Sequence, residues 1–367
     1  MGNFSDPPPK HGGDVYHLAR TLGITLRDLV DFSANINPLG YPPGIAPAVQ
    51  EALKEIVHYP DPRSLELRRD LAAYHRLTPE QILVGNGSTE LIYLAVRALR
   101  PRKALIVAPA FSEYEQALEV AQVPVAFHHT AEAHHFTVNE PLDPKGAALI
   151  FLANPASPSG ALLPPERLLP LVESLEKAGA YLLLDEAFID FVEEASLKGH
   201  LARFPHLLIL RSFTKFFGIP GIRLGYLLAG PDLIKRLAAL QEPWSVNTLA
   251  QAMGRVCLAD REFTEQTREL VNREREYLFK GLAALPGLVP FPGAVNYLLV
   301  KLTRPGWTAA QLQKALLAQK LVIRDAGNFR GLDERFFRVA VRRREDNDRL
   351  LKALEHCLKP EITSGPA

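Results

Sequence analysis

Three segments of the chain carry side chains that together could hold an anion and react with a carbonyl. Gly85-Asn86-Gly87-Ser88 follows a short apolar run and opens a helical stretch, so free backbone N–H groups and the Ser88 hydroxyl would face an anion such as a phosphate. A plain strand-to-helix turn is the other use of such a segment. Asp185-Glu186-Ala187-Phe188 sets a carboxylate at the end of the buried run Tyr181–Leu184, where it could also cap a helix or pair with a cation. Arg211-Ser212-Phe213-Thr214-Lys215 supplies two hydroxyls spaced by two and a lysine, and Arg223 stands eight residues beyond that lysine. A phosphate needs the hydroxyls and the arginine, and a carbonyl needs the amine.

The elements that must position these groups are legible in the apolar pattern. Val-, Ile- and Leu-rich runs at Ile82–Val84, Ala104–Ala108, Val123–Phe127, Ala148–Ala153, Tyr181–Leu184, Leu207–Leu210 and Leu224–Leu228 predict seven strands of a mostly parallel sheet. Helical periodicity fits Glu90–Leu99, Ser112–Ala121 and Pro165–Lys177, which places helices on both faces. The gap from Arg211 to Arg223 is short and holds Gly218, Pro220 and Gly221, so the last strand is expected to run antiparallel. The chemistry-bearing segments then collect after the strands, where open parallel sheets bind ligands. After Trp244 a long helix at Arg261–Ala284 is followed by strands near Asn296–Leu302, Leu321–Asp325 and Phe336–Val341. A helix over Arg344–Cys357 closes a smaller α+β lobe. The reading divides the chain into an N-terminal arm and part of the small domain (1–50), a large domain (51–250) and a small C-terminal domain (251–367).

Composition narrows the function classes. The chain has 367 residues, 47% apolar and 23% charged, as expected of a folded protein with room for a large core and a smaller lobe. Forty-two Lys and Arg against 41 Asp and Glu leave a net charge of +1 without a single-sign block, which argues against nucleic acid or an anionic membrane as partner. Two cysteines, Cys257 and Cys357, make neither a disulfide framework nor a zinc site, and with no signal peptide they point to the cytoplasm. The longest uncharged run, between Lys145 and Glu166, is broken by four prolines and a glycine and is not read as a membrane span.

The order of the segments carries more than any one of them. Gly-Asn-Gly-Ser, then Asn154-Pro155-Ala156-Ser157-Pro158-Ser159-Gly160, then Asp-Glu-Ala-Phe, then Ser-x-Thr-Lys with Arg eight on, resembles the fold-type I pyridoxal-phosphate (PLP) enzymes over nearly the full chain. The resemblance implies an α/β, PLP-dependent transferase fold. It assigns Lys215 to the Schiff base, Asp185 to the pyridine nitrogen, and Gly87, Ser88, Ser212, Thr214 and Arg223 to the phosphate. Phe111, in Pro109-Ala110-Phe111, takes the place where relatives stack an aromatic ring on the cofactor, with a core phenylalanine as the other reading. Two positions depart from the pattern. Relatives usually have Asn at Ser157 and Tyr at Phe188, both donors to the cofactor's 3-oxygen, and Phe188 has no donor to offer.

The remaining motifs resemble the histidinol-phosphate aminotransferase-like group. His58-Tyr59-Pro60-Asp61 looks like the segment whose tyrosine reaches the neighbouring subunit's cofactor phosphate, so Tyr59 implies a homodimer with shared sites. His11-Gly12-Gly13, the segment Phe32–Pro38, Asp-Glu-Ala-Phe and Pro243–Asn247 look most like the L-threonine-O-3-phosphate decarboxylases of cobalamin biosynthesis, PLP-dependent carboxy-lyases, with histidinol-phosphate aminotransferase as the alternative. A phosphorylated amino acid brings two anionic groups and calls for forked cations. By the same resemblance Arg338 matches the carboxylate-binding arginine, and Arg324, His11, Asn35 and the partner's Tyr59 match groups contacting substrate or its phosphate, with surface arginines and an ordered N-terminal arm as the other readings. A PLP-binding regulator without turnover belongs to another class; such proteins carry a fused DNA-binding segment, for which the short Pro-rich N-terminus is not expected to leave room.

Two signals are discounted. His128-His129 and His134-His135 read as a solvated hairpin, not a metal site, because adjacent strand residues face opposite ways. Arg342-Arg343-Arg344 reads as the solvated start of a charged helix.

Overall fold

A computed structural model describes residues 11–139 and 141–359. Thirteen strands are present among these residues: β1 (Val30–Asp31), β2 (Ile82–Gly85), β3 (Ala104–Ala108), β4 (Val125–His129), β5 (Leu149–Ala153), β6 (Tyr181–Asp185), β7 (Leu207–Ser212), β8 (Gly225–Leu228), β9 (Leu288–Pro290), β10 (Tyr297–Leu302), β11 (Leu321–Val322), β12 (Arg324–Asp325) and β13 (Phe336–Ala340). The helices are α1 (Val15–Leu22), α2 (Ile45–Ala52), α3 (Leu65–His75), α4 (Gly87–Leu99), α5 (Ser112–Val120), α6 (Pro165–Lys177), α7 (Pro231–Ala238), α8 (Thr248–Ala259), α9 (Arg261–Ala284), α10 (Ala309–Leu317) and α11 (Arg344–Leu358).

The main sheet has seven strands in the order β2-β8-β7-β6-β5-β3-β4, and β8 alone runs against its neighbours, as the short gap before it predicts. Its strands are apolar on both sides because both faces are covered. Leu105, Val107, Ile150, Leu152, Leu182 and Leu184 point to one face, where α3, α6 and α8 supply Leu67, Leu168, Val172 and Met253. The alternating residues Ile106, Leu149, Phe151, Leu183 and Leu208 point to the other, against Leu91, Leu118 and Leu237 of α4, α5 and α7. Alternation along each strand thus builds two cores from one sheet.

The second sheet, β12-β13-β10-β9, is antiparallel and packs a separate core from Leu298, Val300, Phe337, Val339, Leu312 and Leu350. Val30 and Phe32 of the N-terminal segment join this core, and β1 pairs in parallel with β11. Helix α9 links the cores: Phe263 and Val271 pack into the larger, Leu278 and Leu282 into the smaller. The Asp260 side chain starts α9 by accepting the Phe263 N–H at 2.9 Å.

Two expectations are corrected. The single strand at Leu321–Asp325 is two: Leu321 and Val322 pair with β1, while Arg324 and Asp325 turn to β13 in the other sheet. The His128–His135 region is not a hairpin, because β4 pairs only with β3, in parallel, and a 3-10 turn at Glu132–His134 follows it. No metal-holding cluster of His, Cys, Asp or Glu occurs among the described residues. The Arg342–Arg344 run does open the charged helix α11, with Arg343 and Arg344 exposed as expected. Arg344 pairs with Glu274 at 2.9 Å and lies over the Tyr277 ring, and Arg342 pairs with Asp346 at 2.9 Å. Among the described residues no helix is long and apolar enough to cross a membrane.

Candidate active site

The carboxyl ends of β2, β3, β5, β6 and β7 meet the small lobe around a cavity of about 480 Å³. His11, Asn35, Ser88, Phe111, Ser157, Asp185, Ser212, Thr214, Lys215, Arg223, Arg324 and Arg338 all line it. The fold explains how positions so far apart converge. β8 runs antiparallel, so its start lies at the edge where its neighbours end, with Gly225 registered against both Gly85 and Ser212. Arg223, two residues earlier, is thereby delivered to the first turn of α4.

There Gly87 has φ +80°, and a Cβ at this position would stand 2.6 Å from the Arg223 guanidinium. Only glycine suits both the left-handed backbone and the close cation. Gly87 is therefore the floor beneath Arg223, although it does not itself line the cavity. No side chain caps α4, so the N–H groups of its first turn, the Ser88 hydroxyl and Arg223 form one anion cradle. Ser212 Oγ accepts the Thr214 N–H at 3.2 Å, which fixes the turn between β7 and Lys215.

Asp185 ends β6 and is buried, which pushes its carboxyl above the usual carboxylate range. Two donors oppose that push: the Tyr114 hydroxyl on Oδ2 and the Ala187 N–H on Oδ1 at 2.8 Å. Burial, then the Arg338 and Arg223 charges, lower the Lys215 amine to about 8, against the pull of Asp185. An amine there is part neutral near pH 7 and able to attack a carbonyl.

Two arginines face each other on the small-lobe side. The β12–β13 register sets Arg324 directly opposite Arg338. Like charges across a strand pair repel. Each guanidinium lies by an aromatic ring, Arg324 5.5 Å from the Phe329 centroid and Arg338 5.1 Å from that of Tyr297. Arg324 also donates to Asn328 Oδ1 at 2.8 Å. Arg338 donates to the Ser33 carbonyl at 3.2 Å and to Ser157 Oγ at 3.5 Å, and burial lowers it to about 10. Arg338 Nε and Asn35 Oδ1 are buried atoms without a hydrogen-bond partner. A cavity holding two opposed cations and unsatisfied polar atoms is built for an anionic, hydrogen-bonding guest.

The N-terminal segment reaches the same cavity. Gly12 lies so close to Ser33 that a Cβ would fall 2.1 Å from its carbonyl oxygen, which lets His11 pack against Phe111 and pair with Glu113 at 3.0 Å. Phe188 borders the cavity edge-on to Tyr297.

The cavity of its own chain does not include Tyr59. It is 78% exposed and stacks on Trp244 with centroids 4.6 Å apart, so any role at a phosphate needs a second copy. Sequence reasoning missed Tyr114, Glu113, Ser33, Phe329 and Tyr297. Tyr114 lies three residues after Phe111 on the first turn of α5, the one spacing that could have suggested it.

The donor set fits pyridoxal 5′-phosphate. An amine of lowered basicity suits its aldehyde, a buried carboxylate its ring nitrogen, and the cradle under Arg223 its phosphate.

Comparison with known proteins agrees with this geometry. The chain is 40% identical over 358 residues to a threonine-phosphate decarboxylase of Salmonella typhimurium, covering 95% of this chain and 96% of that one. Among solved structures it is similar to L-threonine-O-3-phosphate decarboxylase from Porphyromonas gingivalis, with a TM-score of 0.81, 32% identity and coverage of 90% and 99%. It is also similar to histidinol-phosphate aminotransferase from Clostridium acetobutylicum, with a TM-score of 0.84, 29% identity and the same coverage. The family model for aminotransferases of class I and II matches residues 27–354, and this chain belongs to that family.

Proposed function

We propose that this chain is a PLP-dependent carboxy-lyase that converts L-threonine O-3-phosphate to (R)-1-amino-2-propanol O-2-phosphate in cobalamin biosynthesis. The observation that carries the reading is the opposed pair Arg324 and Arg338, two cations facing one cavity that also holds Lys215 and Asp185. A substrate with a carboxylate at one end and a phosphate at the other neutralises both.

In this reading Lys215 holds the cofactor covalently, and Asp185, with Tyr114 behind it, faces the ring nitrogen. Gly87, Ser88, Ser212, Thr214 and Arg223 hold the phosphate, Phe111 covers the ring, and Ser157 lies on the 3-oxygen side. When bound, the cofactor supplies an electron sink for the pair released at the substrate's α-carbon. Arg338 fixes the carboxylate, and Arg324, His11 and Asn35 take the phosphate. Gripping both ends decides which bond at the α-carbon is poised to break, so position selects the reaction. The substrate amine would take the place of Lys215 on the cofactor and so free Nζ, which could then supply the proton that replaces departing carbon dioxide on the same carbon.

The working unit is a homodimer in the cytoplasm. Leu53, Ile56, Val57 and Tyr59 are exposed together between α2 and α3, with Trp244 stacked on Tyr59, an apolar patch suited to a second copy. Mixing a Lys215→Ala protein with a Tyr59→Ala protein checks the shared site. Mixed dimers regain one intact site, so activity should climb toward about a quarter of the native value. No gain on mixing would assign Tyr59 to its own surface alone. The activity itself is tested by incubating the holoenzyme with L-threonine O-3-phosphate: the product should be the amino alcohol phosphate, with carbon dioxide in equal amount. Unchanged substrate, with cofactor bound, would refute the assignment.

A further inference from the structure

Arg338 is a buried cation whose guanidinium donates to two neutral oxygens, the Ser33 carbonyl and Ser157 Oγ, and feels the Asp31 carboxylate only through space. Burying a charge without a counter-ion is costly, so something else in the fold must hold the guanidinium while the cavity waits for substrate. Tyr297 meets that need. It sits two residues from Leu299, the cross-strand partner of Arg338, and therefore on the same face of the β10–β13 pair. Its ring centroid is 5.1 Å from the guanidinium carbon. That is within the range in which the negative face of an aromatic ring attracts a cation.

The ring is itself fixed on three sides. The Tyr297 hydroxyl donates to the Ala156 carbonyl at 2.8 Å, Phe188 abuts it edge-on at 4.9 Å, and a Cβ at Gly160 would fall 3.4 Å from its edge. Ala156 precedes Ser157, whose hydroxyl meets Arg338 at 3.5 Å. One tyrosine thus ties the guanidinium to the loop after β5 and to the Phe188 wall.

We infer that Tyr297 is a positioning residue for carboxylate recognition: its ring seats the Arg338 guanidinium, and its hydroxyl pins that ring to the loop carrying Ser157. This rests on the reading of Arg338 as the group that takes the substrate's carboxylate. The ring touches Arg338, not the cavity's guest, so its effect passes through the arginine.

The test keeps the shape of the side chain and changes only the charge on its face. In the holoenzyme, Tyr297→Phe is the parent, and phenylalanines carrying one, two and three ring fluorines at 297 weaken the face in steps. KM for L-threonine O-3-phosphate should rise along the series by about two- to thirtyfold in all, while kcat changes much less. Inhibition by the amino alcohol phosphate, which lacks the carboxylate, should stay constant. A flat KM, or an equal loss for the carboxylate-free inhibitor, would overturn the role. Arg338→Met separates the two claims. If it leaves KM for the amino acid unchanged, the reading of Arg338 fails; if it raises KM while the fluorine series stays flat, only the seat fails.

Discussion

In the cofactor-free protein, the Lys215 amine should lose its proton with a midpoint of about 8, set first by burial and then by the Arg338 and Arg223 charges. An ordinary lysine titrates near 10.5. At pH 7 a group with midpoint 8 is unprotonated about one time in ten, roughly 300-fold more often than that ordinary lysine. The shift also fixes a sign for stability. Between pH 8 and 10.5 the unfolded chain binds the proton that the folded chain has released, so folding grows more favourable as pH rises through that window. The gain is at most about 3 kcal/mol, because the amine opens on the cavity and water there screens it. Trace acetylation of the cofactor-free protein across pH 6–11, with the Lys215 peptide followed by mass spectrometry, reads the midpoint directly. Replacing Arg338 by methionine should raise it, since one of the two opposing cations is gone. A native midpoint near 10.5, or one unmoved in Arg338→Met, would refute the claim that burial and the arginines prepare this amine.

Lys215→Ala should abolish turnover while circular dichroism and melting stay near native, with the cofactor still bound, more weakly and without a borohydride-reducible linkage. Tyr114→Phe removes a charge-assisted hydrogen bond from Asp185, worth about 1.5–3 kcal/mol. The Asp185 carboxyl should then take up protons at higher pH, visible as weaker cofactor binding at low pH in a fluorescence titration. Glu186→Ala should lower stability by about 1–3 kcal/mol in denaturant unfolding, the cost of leaving buried donors without their acceptor. It strips the fully buried Arg211 of a partner at 3.1 Å, beside Asp190 at 2.9 Å and the Glu193 carboxylate.

The main sheet and its ligand-facing edge were legible because the strands are short apolar runs buried on both faces, and the residues after them break that pattern. Lys215, Asp185 and the Gly87 turn stand at such breaks. Even the reversed β8 followed from a gap too short for a crossover helix. The groups that hold these residues in place left no such mark. Tyr114 meets Asp185 across 71 residues of chain, and Arg338 meets Ser157 across 181, contacts that only the packed sheets create. The break at Ile323 was hidden for a related reason. Leu321 to Asp325 is one apolar-rich run, and only the competition of two sheets for its ends splits it. The histidine pairs misled because an edge strand followed by a 3-10 turn has the same local pattern as a hairpin.

One measurement bears most directly on the central claim. The holoenzyme is given carboxyl-labelled L-threonine O-3-phosphate in one vessel, and histidinol phosphate with 2-oxoglutarate in another. Labelled carbon dioxide is counted in the first and glutamate in the second. A carboxy-lyase releases carbon dioxide from the first in step with loss of substrate and makes little or no glutamate in the second. Steady glutamate formation without carbon dioxide would contradict the account and make the chain an aminotransferase in activity as well as in fold.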